Sequence, residues 1–149
     1  MPELPEVETV RRGLADLLPG QAVVRATVFD SPKSFPNSPT DVQQFLYGAH
    51  VTAVRRRAKV LMIDLDTRYS LVIHLKMTGQ LIFRGANSFA GGHPNDSLIG
   101  ELPDRSTRVQ IDFTDGSRLF FNDQRKFGWM KLMPTDEIEN LPFMQKVGP

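Results

Sequence analysis

A single sustained helical period opens the chain, and the patterning that follows it is mostly of the extended kind. Val7, Val10, Leu14, Leu17 and Leu18 recur at helical spacing, while Glu8, Arg11, Arg12 and Asp16 fall on other faces. Pro19-Gly20 stops that helix. Beyond it, residues 21–29, 51–56, 60–66, 69–75, 80–84, 109–113, 119–121 and 128–132 read as short strands. Thr67-Arg68 and the turn Thr114-Asp115-Gly116-Ser117 close two hairpins. Residues 31–39, with three prolines, form an irregular connection, and Thr40-Asp41 is expected to cap a short helix carrying Val42, Phe45 and Leu46. Residues 85–105, rich in Gly, Asn, Ser and Pro, are expected to be a long mobile loop between two halves of a sheet system. The tail is expected to carry a short helix around residues 136–141 and then end loosely. One leading helix and many short strands imply an α+β, mostly β architecture, a two-sheet β-sandwich flanked by the N-terminal helix.

The totals exclude more than they assert. At 149 residues the chain is one domain or one piece of a longer protein. Eighteen basic against seventeen acidic residues leave a net charge of +1, so nucleic-acid binding would have to come from clustering and not from the sum. The absence of cysteine removes disulfides and thiolate metal sites from this stretch, and no metal site is expected in it. No apolar run approaches the roughly 20 residues of a membrane span. A soluble, cytoplasmic, monomeric protein without membrane contact is the expectation.

The first eight residues, Met-Pro-Glu-Leu-Pro-Glu-Val-Glu, carry the most chemistry. Trimming of Met1 would leave Pro2 as a terminal secondary amine, able to attack an aldehydic carbon and collapse to an iminium. An α-amino group titrates at about 7.7 to 8.0, so part of it is nucleophilic near neutral pH. Glu3 and Glu6, spaced i,i+3, would share a face beside it. Structurally, Pro5 can simply open a helix, with Glu3, Glu6 and Glu8 complementing its dipole. If Met1 is retained, the Pro2 nitrogen is an amide and the chain is expected to be inactive.

Three further segments stand out. Arg55-Arg56-Arg57-Ala58-Lys59 reads equally well as edge protection or as phosphate binding. In His74-Leu75-Lys76-Met77-Thr78-Gly79, a bulky Met sits immediately before a Thr-Gly turn, where it has little to pack against unless it inserts into something. Asp123-Gln124-Arg125-Lys126-Phe127-Gly128 places Arg, Lys and Phe together in a loop that needs none of them as a turn.

PELPEVET followed by VRRGL, then RRRAK, HLKMTG and DQRKFG, in this order over residues 1–133, resemble the formamidopyrimidine-DNA glycosylases, a family of base-excision repair enzymes. Leu4 in PELPE resembles this branch more than the related endonuclease VIII type. The resemblance implies a DNA glycosylase and AP lyase acting on double-stranded DNA that contains oxidised purines, such as 8-oxoguanine and formamidopyrimidines, or abasic sites. It implies Pro2 as nucleophile, Glu3 as acid/base, Glu6 in support, and Lys59 on DNA phosphate and at the lesion. It also implies His74 on the phosphate backbone, with Met77, Arg125 and Phe127 filling the space of an everted base. Arg105-Ser106-Thr107-Arg108 departs from the family, which often carries histidines there. The family's helix-two-turn-helix domain and four-cysteine zinc finger have no counterpart in residues 1–149, so zinc is expected only in a C-terminal domain absent from this chain. Another reading is a catalytically inactive DNA-binding or assembly module of the same fold. An N-terminal-proline tautomerase would explain none of the last three segments.

Overall fold

The computed structural model describes residues 4–30 and 32–145. Helix α1 (Leu4–Leu17) buries Val7, Val10 and Leu14 along one stripe, as its period requires, and Leu18 continues that stripe into the core. Among the described residues nine strands follow: β1 (Val23–Val28), β2 (Val51–Arg57), β3 (Val60–Leu65), β4 (Tyr69–His74), β5 (Gly79–Arg84), β6 (Ser88–Gly92), β7 (Thr107–Phe113), β8 (Arg118–Asp123) and β9 (Trp129–Pro134). They form two antiparallel sheets, ordered β1-β7-β8-β5-β6 and β2-β3-β4-β9. Leu61, Ile63, Leu71 and Ile73 of one sheet meet Leu81, Val109, Ile111, Leu119 and Phe121 of the other in a common core. Helix α1 lies against β2 and β6, the edge strands of the two sheets, and so closes the side of the sandwich on which both would otherwise be open. The mostly-β sandwich with a flanking N-terminal helix is the architecture expected from the sequence.

Local expectations need correcting at three places. The glycine-rich stretch 85–105 is not one loop, because Ser88–Gly92 pairs with β5 from Arg84↔Ser88 to Gln80↔Gly92. Its glycines are there for packing: a Cβ on Gly91 would lie 2.8 Å from Val10 Cγ2, and one on Gly13 would lie 2.3 Å from the Phe89 ring. Rotating the helix off the strand to admit a side chain would uncover the core, so small residues are needed on both sides. The second helix, α2 (Pro39–Phe45), begins earlier than expected. Ser38 is its cap, accepting the Asp41 N–H at 3.2 Å, and Pro39 supplies the first turn. The short helix expected in the tail is present, the chain goes on in helical turns to residue 145 where a loose end was expected, and residues 146–149 lie outside the described residues. A 3-10 helix (Thr135–Asn140) and α3 (Pro142–Gln145) bring Ile138 and Met144 onto Val60, Met62, Val72 and Met133, covering the outer face of the four-stranded sheet. No helix among the described residues is long and apolar enough to cross a membrane.

Register places the chain's chemistry at one end of the sandwich. Arg57↔Val60, Val60↔His74 and His74↔Trp129 form the last row of the four-stranded sheet. Gln80↔Gly92, Gln80↔Asn122 and Thr107↔Asn122 form the matching row of the other. The two connections that step from one sheet to the other here are residues 75–78 and 124–128. The β2–β3 turn, Ala58-Lys59, ends the same rim. Helix α1 is aimed there too: Gly13 faces Phe89, Val10 faces Gly91, and β6 runs on to Gly92 and the rim.

Candidate nucleic-acid interface

Pro2 and Glu3 lie outside the described residues. Glu6 is exposed in the first turn of α1. Lys59, His74, Met77, Arg125 and Phe127 all sit on the rim just described, although 68 positions separate the first from the last. Met77 is 41% exposed and Phe127 52% exposed, against a core whose large side chains are almost completely buried. Two large apolar groups held in water at adjacent loop tips make sense when a partner covers them. The Arg125 guanidinium lies over the Phe127 ring, 5.0 Å from its centroid, which keeps the two side chains together.

The backbone at these tips is held in an uncommon state. Ala58 (φ 51°), Lys76 (φ 54°) and Lys126 (φ 60°) are left-handed without being glycine, and each of the three motif segments contains one. Such residues cost of order 1–3 kcal/mol and persist only where the surroundings impose them. Close approach does the imposing. A Cβ on Gly79 would lie 2.4 Å from the Leu75 carbonyl oxygen, and one on Gly128 would lie 2.7 Å from that of His74. Gly79→Ala must therefore open the Met77 turn, and a loss of about 1–3 kcal/mol is expected in urea unfolding, with the NMR shifts of residues 75–79 displaced.

His74 is a half-buried member of the group. Desolvation first, then the charges of Lys76 and Lys59, lower its pKa to about 4. Its Nδ1 accepts the Lys76 backbone N–H at 3.0 Å, which assigns the proton of the neutral ring to Nε2. Trp129 packs beside it, with ring centroids 6.0 Å apart. The ring can thus donate to an anion from Nε2 while neutral. Because the folded pKa lies below the unfolded 6.5, the unfolded chain binds more protons between the two values. The stability contribution is complete above about pH 6.5 and is lost as pH falls toward 4. An NMR titration of the His74 ring is expected to show a midpoint near 4 and the Nε2–H tautomer, with the midpoint rising when a phosphate-bearing ligand binds.

The arginine run resolves in favour of structure. Arg55 pairs with Asp64 at 2.5 and 2.9 Å, Arg57 pairs with Glu139, and Arg56 donates to Glu8 at 2.8 Å. Glu8 also receives Arg11 and Arg12, making it a hub that fixes α1 to β2. Arg11 and Arg56 together hold its carboxyl well below the ordinary range. Reading the sequence alone missed this hub. The Glu8, Arg11, Arg12 spacing hinted at it, but Arg56 lies 48 residues away. Two further rim residues were also missed. Asp123 is fully buried, and Arg108, 6% exposed, donates Nε–H to the Asp123 carbonyl at 2.9 Å. Ser97, Asp104, Arg105, Ser106, Arg108 and Gln124 line an open cleft of about 440 Å³ beside the Arg125 loop. The segment Arg105-Ser106-Thr107-Arg108 therefore lies next to the Arg125 loop. Among the described residues no group of three or more His, Asp or Glu side chains could hold a metal ion, and the chain has no cysteine for zinc.

Comparison with known proteins fits this geometry. Residues 1–130 match the family model described as "Formamidopyrimidine-DNA glycosylase N-terminal domain". The chain belongs to the formamidopyrimidine-DNA glycosylase family. The family's enzyme from Jannaschia sp. is 42% identical over 151 aligned residues, and the one from Dinoroseobacter shibae is 38% identical over 149. Each alignment takes in 100% of this chain but only 50% and 51% of the relative, so the chain spans about half the length of the curated relatives it matches. Among solved structures, Lactococcus lactis Fpg (MutM) in complex with DNA containing N7-benzyl-Fapy-dG aligns at a TM-score of 0.80 and 27% identity, covering 99% of this chain and 49% of that one. The same enzyme with abasic-site DNA aligns at 0.79 and 26%, with the same coverage.

Proposed function

We propose that this chain is the catalytic N-terminal part of a base-excision repair DNA glycosylase and AP lyase that removes oxidised purines from double-stranded DNA. The observation that carries the reading is the convergence of Lys59, His74, Met77, Arg125 and Phe127 on the rim toward which α1 directs its N-terminal end. An enzyme that works on a base must take it out of the stack at a cost of a few kcal/mol, and side chains entering the vacated space recover part of that cost. Met77 and Phe127 are the exposed apolar groups for this role, and Arg125 can hydrogen-bond the base left unpaired. Lys59 and the Nε2–H of His74 would hold phosphate oxygens.

In the proposed reaction the Pro2 amine attacks C1′ of the damaged nucleotide and the C1′–N bond breaks, the base leaving with a proton. Glu3 protonates and deprotonates at the opening sugar, and Glu6 supports the site. The resulting iminium acidifies the C2′ proton. Its removal expels the 3′ phosphate by β-elimination, and δ-elimination then expels the 5′ phosphate. Zinc, in this proposal, belongs to the half of the relatives outside residues 1–149, together with their further phosphate contacts. Binding by this chain alone would accordingly be weak and steeply dependent on salt.

The experiment is borohydride trapping of the Met-trimmed protein on duplex DNA containing 8-oxoguanine or an abasic site. A covalent adduct that maps to Pro2 is expected. The absence of any adduct from trimmed protein, both as this chain and as the full polypeptide made in the cell, would defeat the reading.

A further inference from the structure

We propose that Asp123 is a positioning residue that clamps the Met77 turn and the Arg125–Phe127 loop into one rigid probe, so that both enter the duplex together. The proposal rests on the functional reading above and adds a mechanical part to it. Asp123 is the last residue of β8 and is fully buried. Its Oδ1 accepts the Thr78 hydroxyl proton, and it also accepts the Arg125 N–H at 3.2 Å. Its Oδ2 accepts the Gly128 N–H at 2.5 Å. Thr78 Oγ1 in turn accepts from Arg125 N–H at 3.2 Å, so the two connections share a single hydrogen-bonded knot. The Asp123 main chain extends it to the neighbouring segment, donating to the Ser106 carbonyl at 2.8 Å and accepting from Arg108 Nε at 2.9 Å.

A turn-forming aspartate needs only the amide two residues on. The bonds to Thr78, 45 positions earlier in the chain, and to Gly128 do nothing for that turn. They join the roots of the two probes: Thr78 directly follows Met77, and Gly128 directly follows Phe127. A side chain that pries apart stacked bases must be held at its base, because a soft support yields before the stack does. A buried carboxyl with both oxygens engaged gives that support on behalf of two loops.

The test compares two duplex substrates, one with 8-oxoguanine paired to cytosine and one with a preformed abasic site, using the Met-trimmed full polypeptide. Thr78→Val removes the cross-loop bond while keeping the side-chain shape, and Thr78→Ala serves if valine is not accommodated. Nicking of the paired lesion is expected to fall about tenfold or more, and nicking of the abasic site, which has no base to evert, to stay within about twofold. Thr78→Ser should restore the first activity. Equal losses on both substrates, or none on either, in a protein of unchanged melting temperature overturn the clamp. Hydrogen exchange at the Arg125 and Gly128 amides supplies an arm independent of catalysis. It should quicken in Thr78→Val, and unchanged exchange rejects the clamp even if the parent protein nicks neither substrate, a result that would by itself defeat only the enzymatic reading.

Discussion

Protein that keeps Met1 is expected to give no borohydride-stable adduct with abasic DNA under conditions where trimmed protein is trapped. The loss should be on the order of 10³-fold or more, equivalent to about 4 kcal/mol of barrier. One peptide bond makes the difference. In the trimmed chain the Pro2 nitrogen has a lone pair and an ordinary α-amine pKa of about 7.7 to 8.0, whereas in the untrimmed chain that lone pair is delocalised into a carbonyl and cannot form an iminium. Affinity should respond quite differently. The residues assigned to DNA contact lie on strand ends and loops held by the sheets and by the Asp123 hydrogen bonds. Fluorescence-anisotropy titration with duplex carrying a stable abasic analogue is therefore expected to give dissociation constants within about threefold for the two forms, under 1 kcal/mol. Intact mass establishes which form is present. An adduct of comparable yield from protein that demonstrably retains Met1 would remove Pro2 from the mechanism and direct attention to Lys59 as the amine.

How far the sequence discloses this arrangement depends on the range over which each feature is encoded. The stripe of Val7, Val10 and Leu14 is written within four turns of helix, and the hairpin strands within a few residues of each turn, so both are legible without a structure. β6 is not, because Gly91 and Gly92 resemble loop residues until Val10 and Gly79 are seen against them. What looks like weak strand propensity there is a requirement for close approach. The helix start at Ser38 was readable from its Ser-Pro pair, but the neighbouring Thr40-Asp41 offers the same capping chemistry and drew the boundary inward. At the rim, the exposed Met77 and Phe127 were identifiable as out of place in turns. Asp123 was not, since an aspartate before a loop is ordinary and only the fold brings Thr78 to it. The same holds for the arginines of residues 55–57. Four cations in five positions suggest a ligand, and it takes Asp64 across the hairpin, with Glu8 and Glu139 distant in sequence, to return the three arginines to structure.

Two phenylalanines six positions apart give the sharpest separation between scaffold and probe. Phe121→Ala is expected to cost about 3–5 kcal/mol, a large share of the roughly 5–15 kcal/mol that holds a typical domain together. The ring is fully buried on β8, the central strand of the five-stranded sheet, paired with Val109 on one side and Leu81 on the other. Its tip reaches the root of the probe loop, since a Cβ on Gly128 would lie 3.0 Å from Phe121 Cζ. Removing it leaves a cavity between the sheets that β8, hydrogen-bonded on both edges, cannot move to fill. Phe127→Ala deletes the same atoms from a side chain 52% exposed whose one described ring partner is the Arg125 guanidinium, and should change stability by no more than about 0.5 kcal/mol. Urea unfolding decides between them, with the midpoint shifting strongly for the first variant, barely for the second, and the slope unchanged in both. DNA binding should show the reverse order once each protein is held below its unfolding range: Phe127→Ala weakened, Phe121→Ala close to the parent. If Phe127→Ala instead unfolds the protein as readily as Phe121→Ala, its ring is part of the core in solution, and the reading of the rim as a set of exposed probes fails with it.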